Sequence, residues 1–518
     1  NSDYTILTSL RQQDTHIIKL IIAIYFLWTI LYNELYSLYH GNWSKSMVFS
    51  SSVFLFAFLP VVLLVYYGIF SFSRTVQNIF LCIVSLFFYA WGEPWFVFAM
   101  IGSILFNYAM GLWVSKNMEN KSKKRLIHFI TTFINLALLF VFKYLMFVVK
   151  TWDSWFGSES NIPTIVLPIG ISFFTFQAMS YVFDVSRGHG QAQKNPLNVA
   201  LYISFFPQLI AGPIVRYETV AEQINHRKEN LTDFCDGVVR FIIGLAKKVL
   251  IANQLALTAD VAFKNNIDGS LSVSMAWLGI LAYTLQIYYD FSGYSDMAVG
   301  LGRMFGFHFV ENFNYPYIAT SITAFWRRWH ISLSTWFRDY VYFPLGGSRV
   351  NSKVRLIFNL FVVWTLTGIW HGANWTFIAW GLMFFVLIAV EKLTGYPDKF
   401  KYLSPLKWLI TMLIVILGWV LFRSNTMTEA WQYINVMFGA QGIGFTDAAF
   451  TRYLSSSWML LLAGGVCAVP WVSLFRKKFE KNNFVLDIVT AVVLIVLFVG
   501  ALSYIIQGAY DPFIYFNF

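Results

Sequence analysis

The sequence predicts an all-helical protein that crosses a membrane many times. Hydrophobic side chains make up 58% of the 518 residues and charged ones only 12%, whereas soluble domains carry roughly 25% charged residues. The apolar residues form long runs separated by short polar stretches. Because a membrane span needs about 20 residues, we expect a polytopic bundle of about 11–13 spans, supplemented by re-entrant or half-helices.

The individual spans follow the apolar runs along the chain. Pro168, Gly170, Pro207, Gly212 and Pro213 interrupt some of these runs. Such breaks are tolerated where the freed backbone groups line a cavity or are buried in protein. The predicted segments are 17–39, 50–70, 76–92, 94–114, 127–150, 165–187, 197–215, 237–259, 273–292, 356–372, 374–392, 407–423, 457–475 and 485–507.

The remaining stretches are more polar. Residues 293–355 are long and rich in aromatic residues, Arg and Gly, with no clear span. No internal repeat is apparent, which argues against a transporter built from duplicated halves. Surface loops are predicted at 151–163, 217–232, 262–271 and 425–455.

Residues 1–46 stand apart from the rest of the chain. Met47 is followed by VFSSSVFLFAFLPVVLLVYY, which resembles an ordinary chain start. We therefore divide the chain into an N-terminal extension, 1–46, with one extra membrane helix, and a single membrane domain, 47–518. An accessory segment and a processed extension both stay open as origins of residues 1–46.

Charge and cysteine usage exclude several kinds of site. The net charge of +11 fits basic loops on the cytoplasmic side of a membrane, and without a soluble basic domain it does not indicate nucleic-acid binding. Cys82, Cys235 and Cys467 are far apart, so neither a disulfide framework nor a zinc site is expected. We predict no bound metal and no tightly bound cofactor.

His371 is the most informative single residue. It is the only ionisable side chain among the thirty-five residues from Leu356 to Val390, in the sequence TGIWHGANW. An ionisable group at membrane depth indicates a functional site, and histidine titrates near neutral pH, as proton transfer requires. A structural histidine at a helix kink, marked by Gly372 and Asn374, is the alternative.

A second polar cluster reads Trp326-Arg327-Arg328-Trp329-His330. If this segment is helical, Trp326, Trp329 and His330 share one face and the two arginines point elsewhere. An interfacial amphipathic helix with Trp and Arg anchors is the alternative.

Two further features carry functional alternatives. Asp290, at the end of an apolar run, could orient a histidine or line a polar tunnel; a membrane-surface carboxylate and a structural partner for an arginine are the alternatives. The C-terminus, Asp511-Pro512-Phe513-Ile514-Tyr515-Phe516-Asn517-Phe518, is aromatic rather than hydrophilic. It could anchor at the interface or present the hydroxyl of Tyr515 to a site.

Taken together, these residues resemble the membrane-bound O-acyltransferase (MBOAT) family, in its branch of alginate and peptidoglycan O-acetyltransferase membrane components. The resemblance rests on a Trp-x-x-Trp-His element and a second histidine 41 residues later, and it covers essentially Met47 to Phe518. The matching stretches are LPIGISFFTFQAMSYVFDV (167–185), FFPQLIAGPIVRY (205–217), YYDFSGYSDMAVGLGRMFGF (288–307), WRRWHISLSTWFRDYVYFPLGG (326–347) and TGIWHGANWTFIAWG (367–381).

The resemblance implies a fold and a set of roles. The family fold is a bundle of tilted helices around a central tunnel, with the two histidines near its middle. His371 matches the expected catalytic base, and His330 matches the second polar position, which is Asn or His. The Phe-Ile-Tyr ending resembles the acceptor motif of a small partner protein in teichoic acid D-alanylation, which makes Tyr515 a candidate acyl relay. Other candidate residues of the tunnel and its surroundings are Asp290, Asn374, Trp329, Trp370, Arg327 and Arg328.

The expected function is transfer of an acetyl group from a cytoplasmic thioester, with acetyl-CoA as the first candidate, for O-acetylation of an exported or cell-surface polysaccharide. The expected location is the bacterial cytoplasmic membrane. Expected partners are the acyl donor, membrane lipid, and either an extracytoplasmic acetyltransferase or the glycan itself. Transfer of D-alanine or another acyl group stays open, as do a transporter and a non-enzymatic scaffold for a secreted transferase.

Overall fold

The described part of the chain is all-helical, which confirms the predicted fold class. The computed structural model describes residues 47–396, 403–471, 474, 484–508 and 514, and none of them forms a β-strand. The predicted extension, 1–46, lies outside these residues. The principal helices, labelled α1 to α15 in chain order, are Phe54–Ile69, Arg74–Gly92, Phe96–Ser115, Lys121–Phe156, Ile171–Arg187, Pro196–Ser204, Leu231–Ala246, Asn253–Ile267, Val273–Met304, Lys353–His371, Trp375–Thr394, Ser404–Arg423, Met427–Met437, Ala448–Cys467 and Phe484–Ile506.

Seven helices of the described residues are long and apolar enough to cross a membrane. They are α2, α3, α4, α10, α11, α12 and, over Val485–Ile506, α15. The number is lower than the predicted 11–13 because other apolar runs form shorter or more polar helices. The run predicted at 197–215, for example, breaks into α6 and the short helix Phe206–Leu209.

One predicted surface loop, 425–455, is wrong. Helix α13 lies within this stretch and buries Ala430 and Tyr433 almost completely. The polar residues of α13 belong to an amphipathic helix, which is why this stretch resembled a loop. The Tyr433 hydroxyl donates to the carbonyl of Ala276 at 2.8 Å. The segment 293–355 does lack a span: after α9 ends, it contains only short helical pieces.

Helix α9 lies at the centre of the molecule, and most of its residues are buried. It packs closely on α7 because glycines face each other. A Cβ on Gly293 would lie 2.7 Å from the carbonyl oxygen of Gly244, and one on Gly300 would lie 2.6 Å from that of Gly237. Such small residues let membrane helices approach closely. This packing fixes Phe291, which forms one wall of the site described below.

Helices α10, α11 and α12 form the other side of the site. Helix α10 ends at His371, Gly372 is extended, and the Asn374 side chain caps α11 by accepting the Thr376 N–H at 3.2 Å. Helix α12 packs against α11 and brings Trp419 and Phe422 into the same aromatic cluster. Helices α11 and α12 thereby cover the end of α10.

Candidate functional site

The two histidines singled out in the sequence lie together inside the protein. His371, the last residue of α10, is 3% exposed, and His330, which precedes the short helix Ile331–Phe337, is 1% exposed. Their ring centroids are 6.4 Å apart. The fold therefore joins two polar side chains that are 41 positions apart in the chain.

Aromatic rings surround both imidazoles. The ring of His371 lies 5.0 Å from that of Trp380, 5.1 Å from Trp370 and 5.2 Å from Phe422. The ring of His330 lies 4.7 Å from that of Phe291 and 5.8 Å from Trp370. Trp370 therefore touches both histidines. These rings shield the imidazoles from solvent on the sides that they cover, and electrostatic interactions in such a setting are stronger than in bulk water.

The backbone at His330 is strained. Its φ of 45° and ψ of 54° lie in the left-handed region, which side chains other than glycine rarely adopt. The Trp326–His330 segment is therefore not one continuous helix: the helix Ile322–Trp326 ends, a turn follows, and Ile331–Phe337 begins. The shared helical face considered for this segment is wrong. Strain of this kind persists where surrounding structure enforces it, commonly at functional sites.

Three of the four histidine nitrogens in the site lack a hydrogen-bond partner in the described part of the chain. Within the described ranges, neither Nδ1 nor Nε2 of His330 has a hydrogen-bond partner, and neither does Nδ1 of His371. Buried polar atoms are nearly always hydrogen-bonded in folded proteins. These atoms can therefore bind a group that the described part of the chain does not supply.

A cavity opens at His371. The space amounts to about 320 Å³ only when the open solvent at its mouth is counted, and the enclosed part is small. The polar groups along it belong to Lys143, Ser172 and His371, and Trp370 forms part of the wall. His371 lines this cavity and His330 lies beside His371, so a base stands next to a space for a reactant.

Comparison with known proteins identifies the family. A family model described as membrane-bound O-acyltransferase matches residues 83–427, a range that contains both histidines and Lys143. The chain belongs to the MBOAT family. It is accordingly a multi-pass membrane protein and an O-acyltransferase.

Three curated relatives, named for different activities, are similar to this chain. The probable alginate O-acetylase of Pseudomonas aeruginosa is 46% identical over 399 residues, covering 76% of this chain and 75% of that protein. The peptidoglycan O-acetyltransferase of Helicobacter pylori is 37% identical over 429 residues, covering 77% and 81%. The teichoic acid D-alanyltransferase of Bacillus subtilis is 31% identical over 288 residues, covering 52% and 71%.

The other predicted MBOAT site residues occupy different places. Trp329 is buried behind His330 and packs on Trp419, with ring centroids 4.8 Å apart. Arg327 is exposed, Arg328 is half-buried and donates to the carbonyl of Asn314 at 3.0 Å, and neither lines the cavity.

Asn374 and Asp290 have partners within the protein. The Asn374 side chain, besides capping α11, donates to the carbonyl of Asn425 at 2.6 Å. Asp290 is 1% exposed and forms an ion pair with Lys248 at 2.7 Å. It also accepts the backbone N–H of Ile514 at 2.9 Å. Tyr515, the candidate relay, lies outside the described residues.

Lys143 was not among the residues predicted from the sequence, although it is, like His371, an isolated ionisable residue in a long apolar stretch. Lys143 is the only Lys, Arg, Asp or Glu between Arg125 and Lys150. It is an intramembrane cation, and such residues indicate function. Lys143 belongs to no motif, and its proximity to His371 is visible only in the structure.

One group of side chains has the spacing of metal ligands. Single ligand atoms of Asp184, His189 and Glu218 lie within 4.8 Å of one another. Arg216 pairs with Glu218 at 2.7 Å, His189 contacts Glu218 at 3.0 Å, and the Tyr340 hydroxyl donates to Asp184. Because protein groups already engage these atoms, we assign no metal to them.

The strained backbone at His330 leads to a prediction about stability. Asn tolerates the left-handed conformation, whereas β-branched Thr does not. We expect His330→Thr to lower the free energy of unfolding by about 1–2 kcal/mol more than His330→Asn does. Thermal unfolding of the two variants, purified in detergent, measures the difference. Equal stability of the pair would contradict a requirement for this conformation.

Proposed function

We propose that this MBOAT protein transfers an acetyl group from a cytoplasmic thioester, acetyl-CoA, for the O-acetylation of an exported or cell-surface polysaccharide. The observation that carries the proposal is a pair of buried histidines with ring centroids 6.4 Å apart. His371 lines a cavity, and neither nitrogen of His330 has a hydrogen-bond partner among the described residues. The alginate and peptidoglycan O-acetylating relatives support acetyl as the acyl group and a polysaccharide as the final acceptor.

In this proposal His371 is the general base. It takes the proton of an acceptor hydroxyl, and the oxygen attacks the thioester carbonyl. Burial disfavours the charged form of an imidazole, so the neutral form that a base requires is available. His330, with both nitrogens unpartnered among the described residues, orients a reactant or steadies developing negative charge.

The acceptor hydroxyl in this scheme belongs to Tyr515 or directly to a glycan. The docking of the neighbouring residue supports Tyr515. Ile514 is 7% exposed, and its N–H donates to Asp290 on α9. Phe291, the next residue along α9, packs against His330. The residue beside Tyr515 is therefore anchored to the helix that forms one wall of the histidine site.

A tyrosine relay would solve a topological problem, because a CoA thioester cannot cross the bilayer. An acetyl-tyrosine formed inside the protein could pass its acetyl group, on the extracytoplasmic side, to an acetyltransferase or to the glycan. Such covalent relays divide one difficult step into two easier ones. In this scheme the protein acts in the bacterial cytoplasmic membrane, with the thioester donor on the cytoplasmic side and the final acceptor on the opposite side.

D-Alanine is the second candidate acyl group, supported by the teichoic acid D-alanyltransferase relative. That relative matches 52% of this chain, against 76% for the alginate relative. The broader match favours acetyl. Incubation with labelled acetyl-CoA or with a labelled D-alanyl thioester distinguishes the two donors directly.

The base assignment predicts a large loss of activity in His371→Ala. Removing a general base should lower the rate of acetyl release from labelled acetyl-CoA by about 10²–10⁴-fold. The assay uses the full chain in proteoliposomes. His308→Ala, which removes an exposed histidine, is the matched control and should retain the full rate. Undiminished transfer by well-expressed His371→Ala would refute the assignment.

The relay predicts that Tyr515→Phe abolishes acetyl-protein formation, because this change removes only the hydroxyl. Mass spectrometry of the C-terminal peptide after incubation with acetyl-CoA detects the adduct. Tyr504→Phe, at an exposed tyrosine of α15, should leave it intact. Persistence of extracytoplasmic acetylation in Tyr515→Phe would show that Tyr515 is not an obligatory carrier.

A further inference from the structure

The buried cation Lys143 lies directly against the end of α10. It belongs to the π-helical segment Phe140–Tyr144 of α4 and is 8% exposed. Its Nζ donates to the carbonyl of Trp370 at 2.6 Å and to the Ser172 hydroxyl at 3.2 Å. A π-helical turn inside an α-helix is frequently found at a functional site.

The charge of Lys143 is only partly compensated. Within the described residues it forms no ion pair with a carboxylate. Its third contact, to the carbonyl oxygen of His371 at 3.4 Å, is longer than usual hydrogen bonds. Carbonyls at the C-terminus of a helix attract a cation, but a buried charge normally requires a partner of opposite charge. One N–H of the ammonium group therefore has no short acceptor in the described part of the chain.

The surroundings of Lys143 favour negative charge. Lys143, Gly170, Ser172 and His371 line the same cavity. Helix α5, of 17 residues, begins at Ile171, and the N-terminus of a helix stabilises an anion. Gly170 has a φ of 74°, and a Cβ there would lie 2.8 Å from the backbone oxygen of Leu209. No larger residue fits this tight turn, which brings the start of α5 to the cavity.

We propose that Lys143, together with the Ser172 hydroxyl, stabilises the oxyanion that forms on the thioester carbonyl during acyl transfer. This assignment rests on the proposed function. In this assignment Lys143 stabilises the negative charge on the carbonyl oxygen, and His330 orients the acceptor. Donors preorganised in a water-excluded site act strongly on developing charge of this kind.

The reaction balances without a further reactant. The acceptor oxygen bonds to the carbonyl carbon, the carbonyl electron pair moves onto its oxygen beside Lys143, and His371 takes the hydroxyl proton. When the oxyanion collapses, the carbon–sulfur bond breaks. The sulfur leaves with the proton from His371, which gives a free thiol and an ester.

A structural role for Lys143 is the competing explanation, and Tyr144 separates the two. The Tyr144 hydroxyl donates to the carbonyl of Ile369 at 2.9 Å, so it holds the same end of α10 from the same π-helical segment. Tyr144 does not line the cavity. Loss of helix capping would affect both variants, whereas loss of oxyanion stabilisation would affect only Lys143.

The test measures thiol release from acetyl-CoA by the full chain in proteoliposomes, over a range of acetyl-CoA concentrations. Lys143→Met should lower kcat by about 10²–10³-fold, because one oxyanion donor is lost. The KM should change little, because the interaction forms only in the transition state. Lys143→Arg should recover part of the rate, and Tyr144→Phe should lose less than about tenfold, as expected for one neutral hydrogen bond.

Three results would overturn the proposal while leaving the acetyl-transfer function intact. The first is an unchanged kcat in Lys143→Met, and the second is an equal loss in Tyr144→Phe. If Lys143→Met does not purify as a single species, Ser172→Ala replaces it, and an unchanged kcat there is the third. An unsubstituted protein that releases no thiol would refute the acetyl-transfer function, and this proposal with it.

Discussion

The site depends on how the C-terminal end of α10 is held. A helix end leaves carbonyl groups without partners, and burying them in a membrane protein requires donors from elsewhere. Lys143 and Tyr144 supply those donors to Ile369 and Trp370. Each contact satisfies one buried carbonyl, and together they support the last turn of α10, which ends at His371.

Around the end of α10, the apolar groups and the polar groups of the site come from different structural elements. Helices α9, α11 and α12 supply the rings of Phe291, Trp380 and Phe422 that shield the histidines from solvent. The start of α5 and the π-helical segment of α4 supply the polar groups of the cavity. This division places a base in a dry environment and keeps hydrogen-bond donors within reach of a reactant.

Much of the fold was predictable from the sequence, because apolar runs of membrane length leave few alternatives to a helix. The pairing of His330 with His371 was also predictable, but only through the family resemblance, since spacing alone says nothing about contact across helices. The left-handed backbone at His330 was not predictable, because His rarely adopts it and neighbouring packing enforces it. For Asp290, pairing with an arginine was among the alternatives, but its ion-pair partner is Lys248, and its bond to Ile514 connects two regions more than 200 residues apart.

The account places the acyl carbonyl in the cavity between Lys143 and His371. A structure of the protein with a ketone analogue of acetyl-CoA, in which a methylene group separates sulfur from the carbonyl, tests this most directly. The predicted result is a carbonyl oxygen about 2.7–3.1 Å from Nζ of Lys143, with the carbonyl carbon facing His371. An analogue whose acyl end lies outside the cavity would contradict the account.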